Sequence, residues 1–345
     1  MRRGRNETDD FTSPAARRHS AFSLFASKTA SVRPNRPGAP VDVDATWRPL
    51  TVNESSSSGR GRAGVALDVR RLSKSRALIA SPLMSVFVEA AFGELSGRWP
   101  LPAATTPTEL WLRAVAAGGQ GRYGAALTDL DTLERTNSGG ALSSLGCSTR
   151  ASFLRQLGGH RAARGWDGRA WASAGSDVTA GTDALVGLAA DALGMGRFPL
   201  SAQLLRRAGD LMSAGGEGVD PRLSVRLAWV SAELAMFTGD GPTAVAHAER
   251  AVDLASELGS ARHDAKSRVV LAAALCSIGN IEASRMVADD ALATVTKLGL
   301  VPLSWAVASL LADIGSEVQS PPQIVAVRDA SANVVVHRGG TWTAR

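Results

Sequence analysis

The chain has 345 residues, 45% hydrophobic but only 5% aromatic, with 35 glycines and two cysteines. That length and apolar share can bury a real core, and abundant Ala and Gly beside few aromatics favour closely packed helices over a Val- and Tyr-rich sheet. The formal charge of +6 excludes little, because residues 1–83 hold 15 Lys+Arg against 7 Asp+Glu and leave 23 against 25 for residues 84–345.

Residues 1–83 are rich in Arg, Ser, Pro and Gly, as in "SVRPNRPGAP" and "NESSSSGRGRAG", and read as a disordered basic arm. Met84, in "PLMSVFVEAAFGEL", is an alternative start, since the ordered pattern begins there. The stretch "RRHSAFSLFASKTA" is too short and too rich in Ser for an export signal, and no apolar run reaches the length of a membrane span. Residues 84–107 read as a leading helix and linker, and Thr108 is the expected N-cap of the next helix.

From there to about residue 317 one unit recurs. Glycines that end successive first helices fall at Gly121, Gly158, Gly196, Gly239, Gly279 and Gly315, separated by 37, 38, 43, 40 and 36 residues. Seven residues before each stands an alanine: Ala114, Ala151, Ala189, Ala232, Ala272 and Ala308. Five residues after the glycine comes Ala126, Ala163, Ser201, Ala244 or Ser284, and twelve after it Leu133, Ala170, Ala208, Ala251 or Ala291. Small side chains at fixed offsets mark where paired helices touch. Residues 318–345 depart from this pattern, and their Val-rich runs about "DASAN" predict a β-hairpin that docks on the helices or stays loose.

The unit resembles the tetratricopeptide repeat, most clearly in "LVGLAADALGMGRFPLSAQLLRRAGDLM" and "AKSRVVLAAALCSIGN", and looks most like the longer-period variety of bacterial signalling and regulatory proteins. The resemblance implies an all-α, right-handed solenoid of about five helix-turn-helix repeats plus a capping helix over residues 108–317. Three departures stand out. Leu110, Cys147, Leu185 and Ala228 replace an early aromatic, the closing proline is missing, and Arg113, Arg150 and Ser231 stand where leucine is expected.

No catalytic constellation emerges, and the chain is read as a non-enzyme without cofactor or metal. "GGQGRYG" has the G-x-G-x-x-G spacing at Gly119, Gly121 and Gly124, but it follows helical sequence where the dinucleotide fingerprint needs a strand. Asp129 and Asp131, and the pair Asp289 and Asp290, do not share a helix face with a third ligand, and read as solvated. His160, His247 and His263 stand singly, and Cys147 and Cys276 lack the neighbourhood of a zinc site. Trp166 and Trp171 are expected to pack between repeats.

The resemblance turns attention to the first-helix positions that face the concave groove. These include Trp111, Trp229, Val269 and Trp305, with neighbours Arg226, Glu233, Met236, Lys266 and Cys276. Two readings stand for the tryptophans: anchors for a partner, or core rings filling the superhelix. The expected function is protein or peptide binding in the cytoplasm, as an adaptor or regulatory scaffold. The alternative is a sensor of a small-molecule effector, or a nucleic-acid-associated regulator using the basic arm.

Overall fold

The computed structural model describes residues 82–343 apart from Ser138, so the basic arm and the export-like stretch lie outside the described residues. Every regular element among the described residues is a helix: α1 (Pro82–Phe92), α2 (Pro107–Gly119), α3 (Tyr123–Thr136), α4 (Ala141–Gln156), α5 (His160–Ala174), α6 (Val178–Gly194), α7 (Phe198–Gly215), α8 (Arg222–Thr238), α9 (Gly241–Leu258), α10 (Ala261–Ser277), α11 (Ile281–Lys297), α12 (Val301–Ile314) and α13 (Pro321–His337), with one 3-10 turn at Gly216–Gly218. From α2 onward each helix packs on its sequence neighbour, compatible with a helical repeat.

The recurring glycines end the first helix of each pair with a left-handed residue, φ +72° at Gly121 and +82° at Gly279, where a side chain would be strained. The alanines before them, Ala114, Ala151, Ala189, Ala232, Ala272 and Ala308, are all fully buried. So are their counterparts Ala126, Ala163, Ser201, Ala244 and Ser284. Two of these show the contact atom by atom: Ser201 Oγ donates to Ala189 O at 2.9 Å, and Ser284 Oγ to Ala272 O at 2.7 Å. A buried hydroxyl thereby finds its acceptor on the facing helix, so serine fits the alanine position without an unsatisfied polar group.

Several local expectations need correction. The N-cap of α2 is Thr106, not Thr108: Pro107 takes the first turn, and the Glu109 side chain returns to Thr106 N (2.9 Å), completing a capping box. The Val-rich tail is helix α13, not a hairpin. Ser320 and Gln323 form a second capping box and Pro321 pre-sets the first turn. Ile324, Ser331 and Val335 are then buried at helical spacing, as the second helix of a sixth pair with α12. A two-stranded reading follows from Val propensity alone, which burial along a 3.6-residue period overrides.

The last pair returns to the first. Gly124 N donates to Arg338 O (2.9 Å), Arg338 Nη1 to Gln120 O (2.8 Å), and Thr343 N to Leu157 O (2.9 Å). Val335 belongs to the core of α1–α4, with Trp342 packed against it. Glycines at the meeting allow the close approach: a Cβ on Gly339 would fall 2.9 Å from Gly124 N, and one on Gly340 2.8 Å from the Tyr123 ring. On α2 itself a Cβ on Gly118 would fall 2.1 Å from the Phe153 ring of α4, and one on Gly119 3.1 Å from Arg262 Nη1 of α10.

Two substitutions test this packing by chemical denaturation. Ala272→Leu is expected to destabilise by about 1–3 kcal/mol through overpacking. Gly118→Ala should also destabilise, although Gly to Ala in a helix normally gains about 1 kcal/mol, because the new Cβ would overlap the Phe153 ring, itself packed edge-on against Tyr123. A neutral Ala272→Leu, or a stabilising Gly118→Ala, would contradict the close approach of the helices.

Candidate inner-face site

Positions four and seven apart on one helix share a face. On α8 this places Arg222, Arg226, Trp229 and Glu233 in one row, and on α10 Arg262, Lys266 and Val269. The two rows are adjacent. Lys266 Nζ lies 4.3 Å from the centroid of the Trp229 ring, and Trp229 Nε1 donates to Ser267 Oγ at 2.8 Å. His263 stacks on Trp229, with ring centroids 5.5 Å apart and planes at 16°.

Helix α1 brings one aromatic to this surface. Phe92 packs against Trp111 (5.7 Å between centroids) and His263 (6.2 Å), and the Arg222 guanidinium lies 4.0 Å from its ring centroid. Arg222 is fixed from behind by Asp220, its Nε–Oδ2 distance being 2.8 Å. Arg226 pairs with Asp183 at 3.1 Å.

Of the residues expected in the groove, Arg226, Trp229, Glu233 and Lys266 come together here. Trp111 joins them through Phe92, its Nε1 donating to Thr149 Oγ1 (3.0 Å). The two tryptophans are nearly closed off, 3% exposed for Trp111 and 7% for Trp229. Val269, Met236 and Cys276 are buried packing residues. Trp305 lies apart, its ring tilted by 40° against Trp342 of the C-terminal tail, 4.6 Å between centroids. Sequence reasoning missed Phe92, Arg222, Arg262 and His263. The i, i+4 spacing of Arg222 with Arg226 and of Arg262 with Lys266 was the available signal.

Charge is crowded on this face. Burial, with the nearby cations Arg262, Arg222, Arg226 and Lys266, holds His263 well below the ordinary imidazole range, so its ring is neutral. Its Nδ1 lies 2.8 Å from Ser260 Oγ. Burial likewise raises Glu233 and lowers Lys266 to about 8, each partly offset by attraction to the other.

A second charged cluster sits between α4, α5 and α6. Arg155 Nη1 bonds the fully buried Asp167 and reaches Asp191 Oδ1 at 3.1 Å. Burial raises both carboxyls, and one arginine cannot neutralise two carboxylates, so a shared proton is favoured. His160 lies beside them, lowered to about 4 by burial and Arg155, in the space left by Gly194, whose Cβ would fall 2.2 Å from the ring. Arg113 and Arg150, the departures from the leucine pattern, pair with Asp129 and Asp131. Asp129 and Asp289 are therefore buried structural acceptors, not solvated ones: Asp289 receives Ser316 Oγ at 2.6 Å and Glu317 N at 2.8 Å. Asp131 and Asp290 are exposed as expected.

Trp166, half-buried, has the Arg150 and Arg169 guanidinium groups over its ring, 4.6 and 4.4 Å from its centroid. Trp171 is exposed beneath Arg207. Among the described residues no group of three His, Cys, Asp or Glu is placed to hold a metal ion, and no helix is long and apolar enough to cross a membrane.

Compared with protein-family models, with curated proteins and with solved structures, the chain matches none. The inner face therefore has to be interpreted from its own chemistry.

The neutral state of His263 carries a sign. Its folded pKa lies below the unfolded one, so its stabilising contribution is full above pH ~6.5 and is lost as pH falls below it, by about 1.4 kcal/mol per pH unit until the folded pKa is reached. Urea midpoints at pH 7 and pH 5.5 are expected to fall more steeply for the unaltered protein than for His263→Phe. Equal slopes would mean that His263 is charged or solvated in the fold.

Proposed function

We propose that the chain is a regulatory scaffold of tetratricopeptide-like repeats that binds a partner's peptide segment on the inner face formed by α2, α8 and α10. The observation that supports this reading is the seat of Phe92. A helix from outside the repeat pairs lies against the expected groove positions, its aromatic ring held by Trp111, His263 and Arg222. Tilted aromatic pairs and a guanidinium over an aromatic are contacts by which interfaces hold an anchoring side chain. On this reading α1 occupies the surface in the resting chain, and a partner segment of similar design takes its place. The concave tryptophans then act as the walls of the seat, which fits their burial better than a role as free anchors.

A labelled peptide copying residues 82–94 provides the test. It should bind the full chain carrying Phe92→Ala, whose resident helix is weakened, and bind the unaltered chain at least about tenfold more weakly, a difference of roughly 1.4 kcal/mol. Adding Arg222→Ala to Phe92→Ala should abolish binding. No binding to a Phe92→Ala chain of normal helicity would show that α1 is a fixed part of the core.

A further inference from the structure

Arg262 and Lys266 stand one turn apart on α10, facing α2 and α8. The neighbouring cations have carboxylates: Arg222 has Asp220, and Arg226 has Asp183. Among the described residues, Arg262 and Lys266 have no carboxylate within ion-pair distance. Arg262 makes one hydrogen bond, from Nη1 to Val115 O at 3.0 Å, and Lys266 rests its ammonium on the Trp229 ring. A guanidinium carries five N–H donors, so most of its donating capacity is unused here. Both residues are half-buried, deep enough for their charged groups to lose much of their hydration.

Two close cations with no carboxylate in ion-pair contact, and only Glu233 near enough to attract Lys266, oppose each other's ionisation and favour an incoming anion. Burial, helped by Arg222 and Arg226, lowers Arg262 to about 10. Lys266 is lowered to about 8 by burial, with Glu233 opposing and Arg226, Arg155 and Arg262 adding to the effect. His263, neutral beside them, does not supply a further charge. The fork of Arg262 suits a carboxylate or phosphate bidentately, Lys266 adds a point charge one turn away, and the Trp229 ring walls the seat.

We propose that Arg262 and Lys266 form a binding site for a small anion bearing a carboxylate or phosphate group, on the inner face between α8 and α10. The ligand is small because Phe92, Trp111 and Arg222 fill the face on one side and Glu233 repels negative charge on the other. The site does not depend on exchange of α1, so the peptide reading and this one fail separately.

The test is thermal unfolding of the full chain in millimolar succinate or inorganic phosphate, against chloride at matched ionic strength. The midpoint should rise with anion concentration, as linkage requires of a ligand that binds the folded state. Arg262→Met and Lys266→Met should each lose most of that rise. Both should also unfold at a higher temperature than the unaltered chain in chloride, since each removes an unanswered cation. A response to succinate alone identifies a carboxylate ligand and a response to phosphate alone a phosphorylated one, and either supports the site.

A second arm needs no substitution. The rise given by succinate, whose charge is constant there, should shrink between about pH 7.5 and 9.5 as Lys266, which is faced by Arg262 on its own helix and by Arg226 and Glu233 on α8, loses its proton. An equal midpoint in chloride, a rise retained in both variants, or a rise indifferent to pH would each overturn the proposal.

Discussion

The close approach of paired helices is the constraint on which the rest of the structure depends. Side chains no larger than a methyl or hydroxymethyl group occupy both sides of each contact, with Ala189 opposite Ser201 and Ala272 opposite Ser284. Packing at this distance draws on dispersion between many atoms and leaves little room for error, since interiors are as dense as organic crystals. A left-handed glycine then reverses the chain within two or three residues. Together these two requirements set the spacing of the pairs, and so which residues face inward.

Most of this was legible in the sequence because it is local and periodic. Alanine at one offset and glycine at another appear whether or not the partner helix is known. The tail was not legible in the same way. Its Val-rich composition favours a strand in isolation, and only the caps at Ser320 and Pro321, with the surface offered by α12, make it a helix. Ser320 and Gln323 were a readable signal, but the weight of Val334, Val335 and Val336 concealed it. The packing role of Gly118 and Gly119 was not legible for a related reason: the G-x-G-x-x-G spacing that includes Gly119 only excludes a dinucleotide site, while the packing depends on Phe153 and Arg262, far away along the chain.

Contacts between remote parts of the chain also decide the inner face. The positions expected to line a groove do converge, yet α1 covers Trp111, and α10 covers Trp229 through His263 and Lys266. Repeat periodicity states which face of each helix looks inward. It does not state how much space remains there once the last pair meets the first through Arg338 and Thr343. Position alone therefore left open whether the tryptophans are free anchors or packed rings, and the burial of Trp111 and Trp229 favours the packed reading.

Charge balance gives the inner face a directional character that the small-residue wall lacks. Around Arg155 two carboxylates share one cation, whereas around Arg262 cations outnumber the carboxylates that answer them. Structural ion pairs in a stable core tend to be matched, because an unmatched buried charge loses hydration without recovering it. The mismatch has opposite sign at the two places. At Asp167 and Asp191 a proton can restore balance, as the raised carboxyls indicate. At Arg262 no proton can do so, because a guanidinium keeps its charge at neutral pH. Balance there has to come from outside the chain, which makes this end of the inner face the more informative place to look for a ligand.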